Sequence, residues 1–305
     1  MLLRRSSAEV ALLVTVAIWS LNFSAVKAGV TAMEPLVFAV VRFSLGAATT
    51  VALVRWREGP LRFARADLPA LLVAAFFGIT LNQLCFVLGL AVTSASNTAL
   101  LVGTIPIWTA LVAVGLRHER LSTHHWLGLA GGLAGVALVV AGTQAPAVAP
   151  GAVSLPLLGE LLALGTAASW GVYSVLIRPL MARYSAMRLS SFMMTAGTLA
   201  LVPLAVPGLL RFDPAAVPAE AWLALLYATF LSVTLTNILY FTAIARVGAS
   251  RAALYTYLEP FLGVLFAVAL LSERVSLLQL TGGVVIVAAI AFARPRQVSI
   301  AEPGM

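Results

Sequence analysis

One carboxylate stands where an apolar side chain is expected. The stretch LYTYLEPFLG, residues 254–263, lies inside an apolar run over 249–271 and sets Glu259 beside Pro260. An acid in such a place can bind an ammonium group, carry a proton or pair with a buried cation. At the centre of a bilayer it costs about 2.5–3.5 kcal/mol. Proline removes one backbone donor and kinks a helix. Both costs are tolerable where a helix lines a wet cavity. Two readings of Glu259 stand side by side: a group that binds substrate or a proton, and an ion pair with Arg42 that fixes the second apolar run to the ninth. Pro106 is a second break of the same kind, with Ile105 where the other break has Glu259. Kinks at Pro106 and Pro260 would suit hinged gating.

Aromatic and amide side chains recur at helical spacing around this acid. Trp19 and Asn22 are three residues apart, as are Trp170 and Tyr173, so each pair shares one helix face. Asn82 with Phe86, and Asn237 with Tyr240, are again one turn apart. Tyr255 and Glu259, four apart, share a face of the ninth run. An amide needs hydrogen-bond partners in hydrocarbon, so these faces are expected to point inward. Aromatic walls with amides would form a broad pocket for a small polar molecule such as an amino acid. Ordinary helix packing is the competing reading.

Other chemistries lack their residues. His118, His124 and His125 have no carboxylate at metal-ligand spacing, so no metal is expected. No phosphate-binding loop, Walker-type lysine or zinc helix occurs, which argues against a cofactor and against ATP-driven work by this chain, and no ATPase subunit is indicated. No nucleophile and base fall together at mid-membrane depth, so an enzyme is not expected. Cys85, the single cysteine, lies in an apolar run and reads as packing.

The elements that must hold these residues follow from composition. The chain has 305 residues, of which 10% are charged and 61% hydrophobic. Its mean hydropathy is +1.03. Globular domains carry about 25% charged residues. Ten apolar runs near membrane length recur, at 9–29, 34–56, 68–90, 94–116, 125–143, 157–178, 187–209, 220–243, 249–271 and 276–294. The expected class is an all-α integral membrane protein whose partner is the lipid bilayer. The net charge of +8 does not signal nucleic acid, because the basic residues lie between the runs. With the N-terminus in the cytoplasm, fifteen of them fall on that side and three (Lys27, Arg211, Arg274) outside, with Arg42 within a span. Both termini are then cytoplasmic. The first run follows Arg4 and Arg5 without a convincing cleavage site.

The sequence also matches itself at an offset of 154. Residues 95–122 align with 249–276, pairing Ala95 with Ala249, Ser96 with Ser250, Pro106 with Pro260, Glu119 with Glu273 and Arg120 with Arg274. Upstream, Phe76, Thr80 and Leu81 pair with Phe230, Thr234 and Leu235, and at a slightly shorter offset Trp19 pairs with Trp170. Five runs per unit is an odd number, so the second unit enters the membrane in the opposite sense. Ten transmembrane helices thus form two five-helix inverted-topology repeats. The expected divisions are 1–143, a 144–156 external linker, 157–296 and a 297–305 cytoplasmic tail. Inverted repeats are a common architecture of secondary transporters, with the substrate site at the midplane between the repeats. The glycines of the fifth run, Gly128, Gly131, Gly132 and Gly135, form GxxxG pairs. They read as packing of helix five against helix ten, with a homodimer face as the alternative to a monomer.

A Trp in helices one and six, Ala-Ser before a Leu and a Pro, a loop Glu in "HER" and "SER", and a Gly-containing last helix occur once per half. This doubled pattern resembles the EamA-type branch of the drug/metabolite transporter superfamily over essentially the whole chain. The chain is also similar to bacterial exporters of aromatic and other amino acids. The resemblance implies a multi-pass protein of the bacterial inner membrane that exports small metabolites, amino acids first among them. An uptake permease would share the fold. A channel would need a continuous polar lining, and the polar residues here are sparse.

Overall fold

The computed structural model describes residues 2–116, 123–143, 155–236, 239, 240, 243 and 255–293. Among them every regular element is helical, as the composition requires. The apolar helices are numbered here along the chain. They are α1 Leu2–Ala32, α2 Pro35–Arg57, α3 Arg65–Val92 and α4 Ala95–Gly115, and α5 Thr123–Ala141. There follow α6 Pro156–Leu176, α7 Ala186–Leu209, α8 Ala219–Leu235, α9 Glu259–Leu271 and α10 Leu277–Ala293. Helices α1, α2, α3, α4 and α7 are long and apolar enough to cross a membrane, and α5, α8, α9 and α10 hold shorter apolar stretches.

Local signals set the ends. Pro35 opens α2, where its missing N–H costs nothing, and the Glu34 carboxylate accepts from Val37 N–H at 2.7 Å. Arg55 and Arg57 close the same helix at the negative end of its dipole. Ser94 and Ser185 cap α4 and α7 through their hydroxyls. Ser272, left-handed at φ 55°, stops α9.

Helices α4 and α9 differ from the bent continuous helices expected. The first is broken at Gly103–Thr104 into Ala95–Val102 and Ile105–Gly115. In the second, a 3₁₀ turn over Thr256–Leu258 precedes an α-helix that begins at Glu259. Pro106 and Pro260 each lie in the first turn of an α segment, where the helix needs no donor from them. Each proline thus stands at the start of an α segment. The two breaks meet: a Cβ built on Gly103 would lie 2.9 Å from Pro260 Cγ.

Helices α3 and α8 share another irregularity. Each contains a π-helical stretch, Phe76–Leu81 and Tyr227–Leu235. The sequence mates Phe76/Phe230, Thr80/Thr234 and Leu81/Leu235 all lie within them. Such bulges re-aim the residues that follow and recur at functional sites.

Packing repeats the same symmetry. Helix α1 packs on α8 and α9, α6 on α3 and α4, α2 on α7, α4 on α9, and α5 along α10. Exchanging each helix for the one five places on maps this set of pairs onto itself. Of the α5 glycines, Gly131 and Gly135 face α10 as expected, whereas Gly132 faces Ile107 of α4 and Gly128 lines the cavity. A Cβ on Gly135 would sit 2.8 Å from the Gly282 carbonyl oxygen, closer than any side chain permits. Cys85 is buried, in keeping with a packing role.

Candidate functional site

A cavity of about 970 Å³ runs between the helices. It is lined by Trp19, Asn22, Asn82, Phe86, Trp170, Tyr173, Tyr240 and Glu259, with Arg42, Pro106 and Pro260. Helical spacing gave the aromatic and amide residues inward faces, charge singled out Glu259, and the fold brings them to one space. Tyr255 is not among the lining residues; beside Tyr240 it packs against the cluster of Ala8, Leu12 and Ala243. Asn237 lies outside the described residues.

The wall is held together by bonds between the two halves. Trp19 Nε1 donates to the Ser232 carbonyl at 3.1 Å and to Thr236 Oγ1 at 2.9 Å, and its ring lies 5.1 Å from that of Tyr240. Asn82 Nδ2 donates to the Thr166 carbonyl at 3.0 Å and to Ser169 Oγ at 3.3 Å. Asn82 and Thr236 each follow a π stretch, so α3 reaches α6 as α8 reaches α1. The rings of Trp170 and Tyr173 on α6 meet at a tilt, their centroids 5.1 Å apart. Phe86 meets Phe23 edge to face at 5.8 Å.

The ion pair expected between Arg42 and Glu259 is absent; among the described residues the pairs are Arg183–Asp67 and Arg188–Glu58. Arg42 instead donates from Nε to the Ala228 carbonyl at 3.3 Å and from Nη2 to Asn22 Oδ1 at 3.2 Å. Its guanidinium carbon lies 5.1 Å from the Phe43 ring centroid. Closer backbone and amide acceptors have taken the guanidinium. Glu259 occupies the first turn of α9, where the positive end of the helix dipole offsets the cost of its charge.

The two ends of the bundle differ. Arg178, Met181, Ala186 and Leu189, at the arginine-rich end, line the cavity. The opposite end carries a polar network that spacing did not reveal. Glu273, after α9, accepts from Ala95 N–H at 2.7 Å, Ser96 N–H at 2.9 Å and Ser96 Oγ at 2.6 Å, and so caps α4. Lys27 Nζ donates to the carbonyls of Leu90 (2.7 Å) and Thr93 (2.8 Å). Asn97 Nδ2 donates to Thr143 Oγ1 at 2.8 Å and to Glu160 Oε1 at 3.2 Å, while Gln279 Nε2 donates to Asn97 Oδ1. Ser276 Oγ donates to the Gly142 carbonyl at 2.9 Å. These bonds join α4 and α6 to the α9–α10 turn, while Lys27 ties α1 to the end of α3, and none of these residues lines the cavity. Lys27 and Glu160 carried a signal in the sequence, since each is an ionisable group inside an apolar run.

An all-helical bundle of apolar helices around a polar, aromatic cavity defines a multi-pass membrane protein of the transporter class. The EamA-like transporter family model matches residues 6–141 and again 157–294, and the chain belongs to that family. It is 26% identical to an uncharacterized transporter of Archaeoglobus fulgidus, over 96% of this chain and 99% of that one. It is 26% identical to a probable terminal-alkyne amino-acid exporter of Streptantibioticus cattleyicolor, over 92% of this chain and 91% of that one. To a probable amino-acid metabolite efflux pump of Escherichia coli it is 25% identical, over 92% of each chain. A crystal structure of a protein 23% identical in sequence shares the fold, with a TM-score of 0.62 over 94% of this chain and 96% of that one.

Proposed function

We propose that this protein is a secondary transporter or facilitator that exports small metabolites, amino acids first among them, across the bacterial inner membrane. The observation that carries the reading is the cavity of about 970 Å³ to which both halves contribute equivalent aromatic and polar residues. It has the size of a small-molecule site. Ten crossings in two inverted five-helix repeats fit the doubled family match and the helix pairs that map onto themselves. Two relatives named as amino-acid exporters support the substrate class. The excess of arginine on one set of loops sets that end, and both termini, in the cytoplasm. The cavity then faces the cytoplasm, and the polar residues around Glu273, Asn97 and Glu160, with Lys27, close the outer end. Transport is the exchange of this arrangement for its mirror, by movement of one half against the other around the fixed site.

The test is efflux from liposomes loaded with an amino-acid mixture, with and without a pH gradient, for the wild type and Glu259→Gln. The expected result is selective, saturable efflux with counter-exchange. A gradient that drives efflux only in the wild type assigns the coupling proton to Glu259. Indifference to the gradient makes the protein a facilitator in which Glu259 binds substrate or supports the fold. Flux that never saturates would mean a channel, and no movement of any amino acid would remove the substrate class.

A further inference from the structure

We propose that Arg42 and Gln83 recognise the two charged ends of a zwitterionic substrate, Arg42 taking a carboxylate and Gln83 an N–H donor. This rests on the cavity being the transport site. Both residues line the cavity, and each is almost wholly buried, Arg42 4% and Gln83 8% exposed. Each has one polar atom with no hydrogen-bond partner, Arg42 Nη1 and Gln83 Oε1. The rest of each side chain is fixed. Arg42 is held by Asn22, by the Ala228 carbonyl and by the Phe43 ring. Gln83 Nε2 donates to Asn82 Oδ1 at 2.9 Å, which directs its own oxygen away from Asn82. An arginine that served only to tie helices together would use its donors on them. Here a charged donor is left buried and unpaired, at a cost that a structural role does not repay.

The two vacancies are complementary in kind: one donor on a cation, one neutral acceptor. A carboxylate matches a guanidinium in charge and in planar geometry. The charged groups of the lining are Glu259, Arg42 and, at the arginine-rich end, Arg178. A singly charged carboxylate that also carries an amino group satisfies both atoms. The surrounding rings of Trp19, Trp170 and Phe86 leave an apolar space for its side chain.

Trp19 and Trp170 line the cavity, so intrinsic fluorescence of the wild-type protein reads binding directly. The probes are one aromatic-free amino acid, its amide, the amine left by decarboxylation, and the matching 2-oxo acid. The expected order puts the amino acid first, with the amide and the amine weaker by about 10- to 100-fold, the worth of a charge-assisted hydrogen bond. Arg42→Gln should abolish the preference for amino acid over amine, and Arg42→Lys should restore part of it. Gln83→Leu should abolish the preference for amino acid over 2-oxo acid. An amine that binds the wild type as tightly as the amino acid overturns the proposal, and leaves export of another metabolite standing. Binding of the 2-oxo acid alone, lost in Arg42→Gln, would uphold the Arg42 subsite and overturn the roles given to Gln83 and to amino acids. No response to any probe overturns the proposal as a whole.

Discussion

Asn82 is the polar side chain on which most of the cavity wall depends. It bonds α3 to α6 and, through its oxygen, orients Gln83. Asn82→Leu leaves the Gln83 amide and Ser169 with lost partners, and removing a partner from a buried group costs about 1–3 kcal/mol. The expected outcome is a lowered thermal midpoint in detergent and at least tenfold slower efflux. Trp170→Ala removes an exposed wall, so transport should fall while the midpoint stays close to that of the wild type. If Asn82→Ala and Trp170→Ala both folded and transported normally, the cavity would not be the path. Spacing gave Trp19, Asn22, Asn82, Phe86, Trp170, Tyr173 and Tyr240 their inward faces, because a helix face is a periodic object, and they line the cavity with Glu259. It misplaced Tyr255, whose four-residue relation to Glu259 is broken by the 3₁₀ turn between them. Arg42 was misassigned because its acceptors, Asn22 and Ala228, are set by tertiary packing.

At the level of the helix, the glycine spacing in the sequence pointed to α5 against α10, and the two pack along each other. Gly135→Leu tests that seam. Its side chain would meet Ile286 and the Gly282 carbonyl, and overpacking of this kind costs about 1–3 kcal/mol. Gly115→Ala is the matched control: no atom lies within 4 Å of the new methyl, and it should be neutral or stabilising by under about 1 kcal/mol. Thermal midpoints of the two purified variants compare them directly. The π stretches were not legible, because local propensity does not distinguish a π turn from an α turn. The prolines were legible as breaks, yet only the fold decides whether a break bends a helix or begins one. The polar network draws Lys27, Asn97, Glu160, Glu273 and Gln279 from distant parts of the chain, and no spacing rule links them.

For the whole molecule, the decisive contrast is between its two ends. A reporter that works only in the cytoplasm should be active at the C-terminus and silent within 144–156. Glu273→Gln should loosen the cap on α4, since an amide oxygen carries no full charge to share among three donors. With Cys85 replaced by Ser and Ala99, a cavity residue, by Cys, an impermeant thiol reagent added outside should label Glu273→Gln faster than its parent; equal rates would remove the network from any part in closure. The cap also sets a tempo. If this end is the closed outer one, as proposed, three charge-assisted bonds must part before it opens, and they re-form without help once the cargo has left. An empty carrier that has returned to rest therefore faces the steepest climb alone, and one that comes back loaded shares it with its ligand. Amino acid supplied outside should then speed the release of labelled amino acid from within, so that one-for-one exchange outruns net efflux.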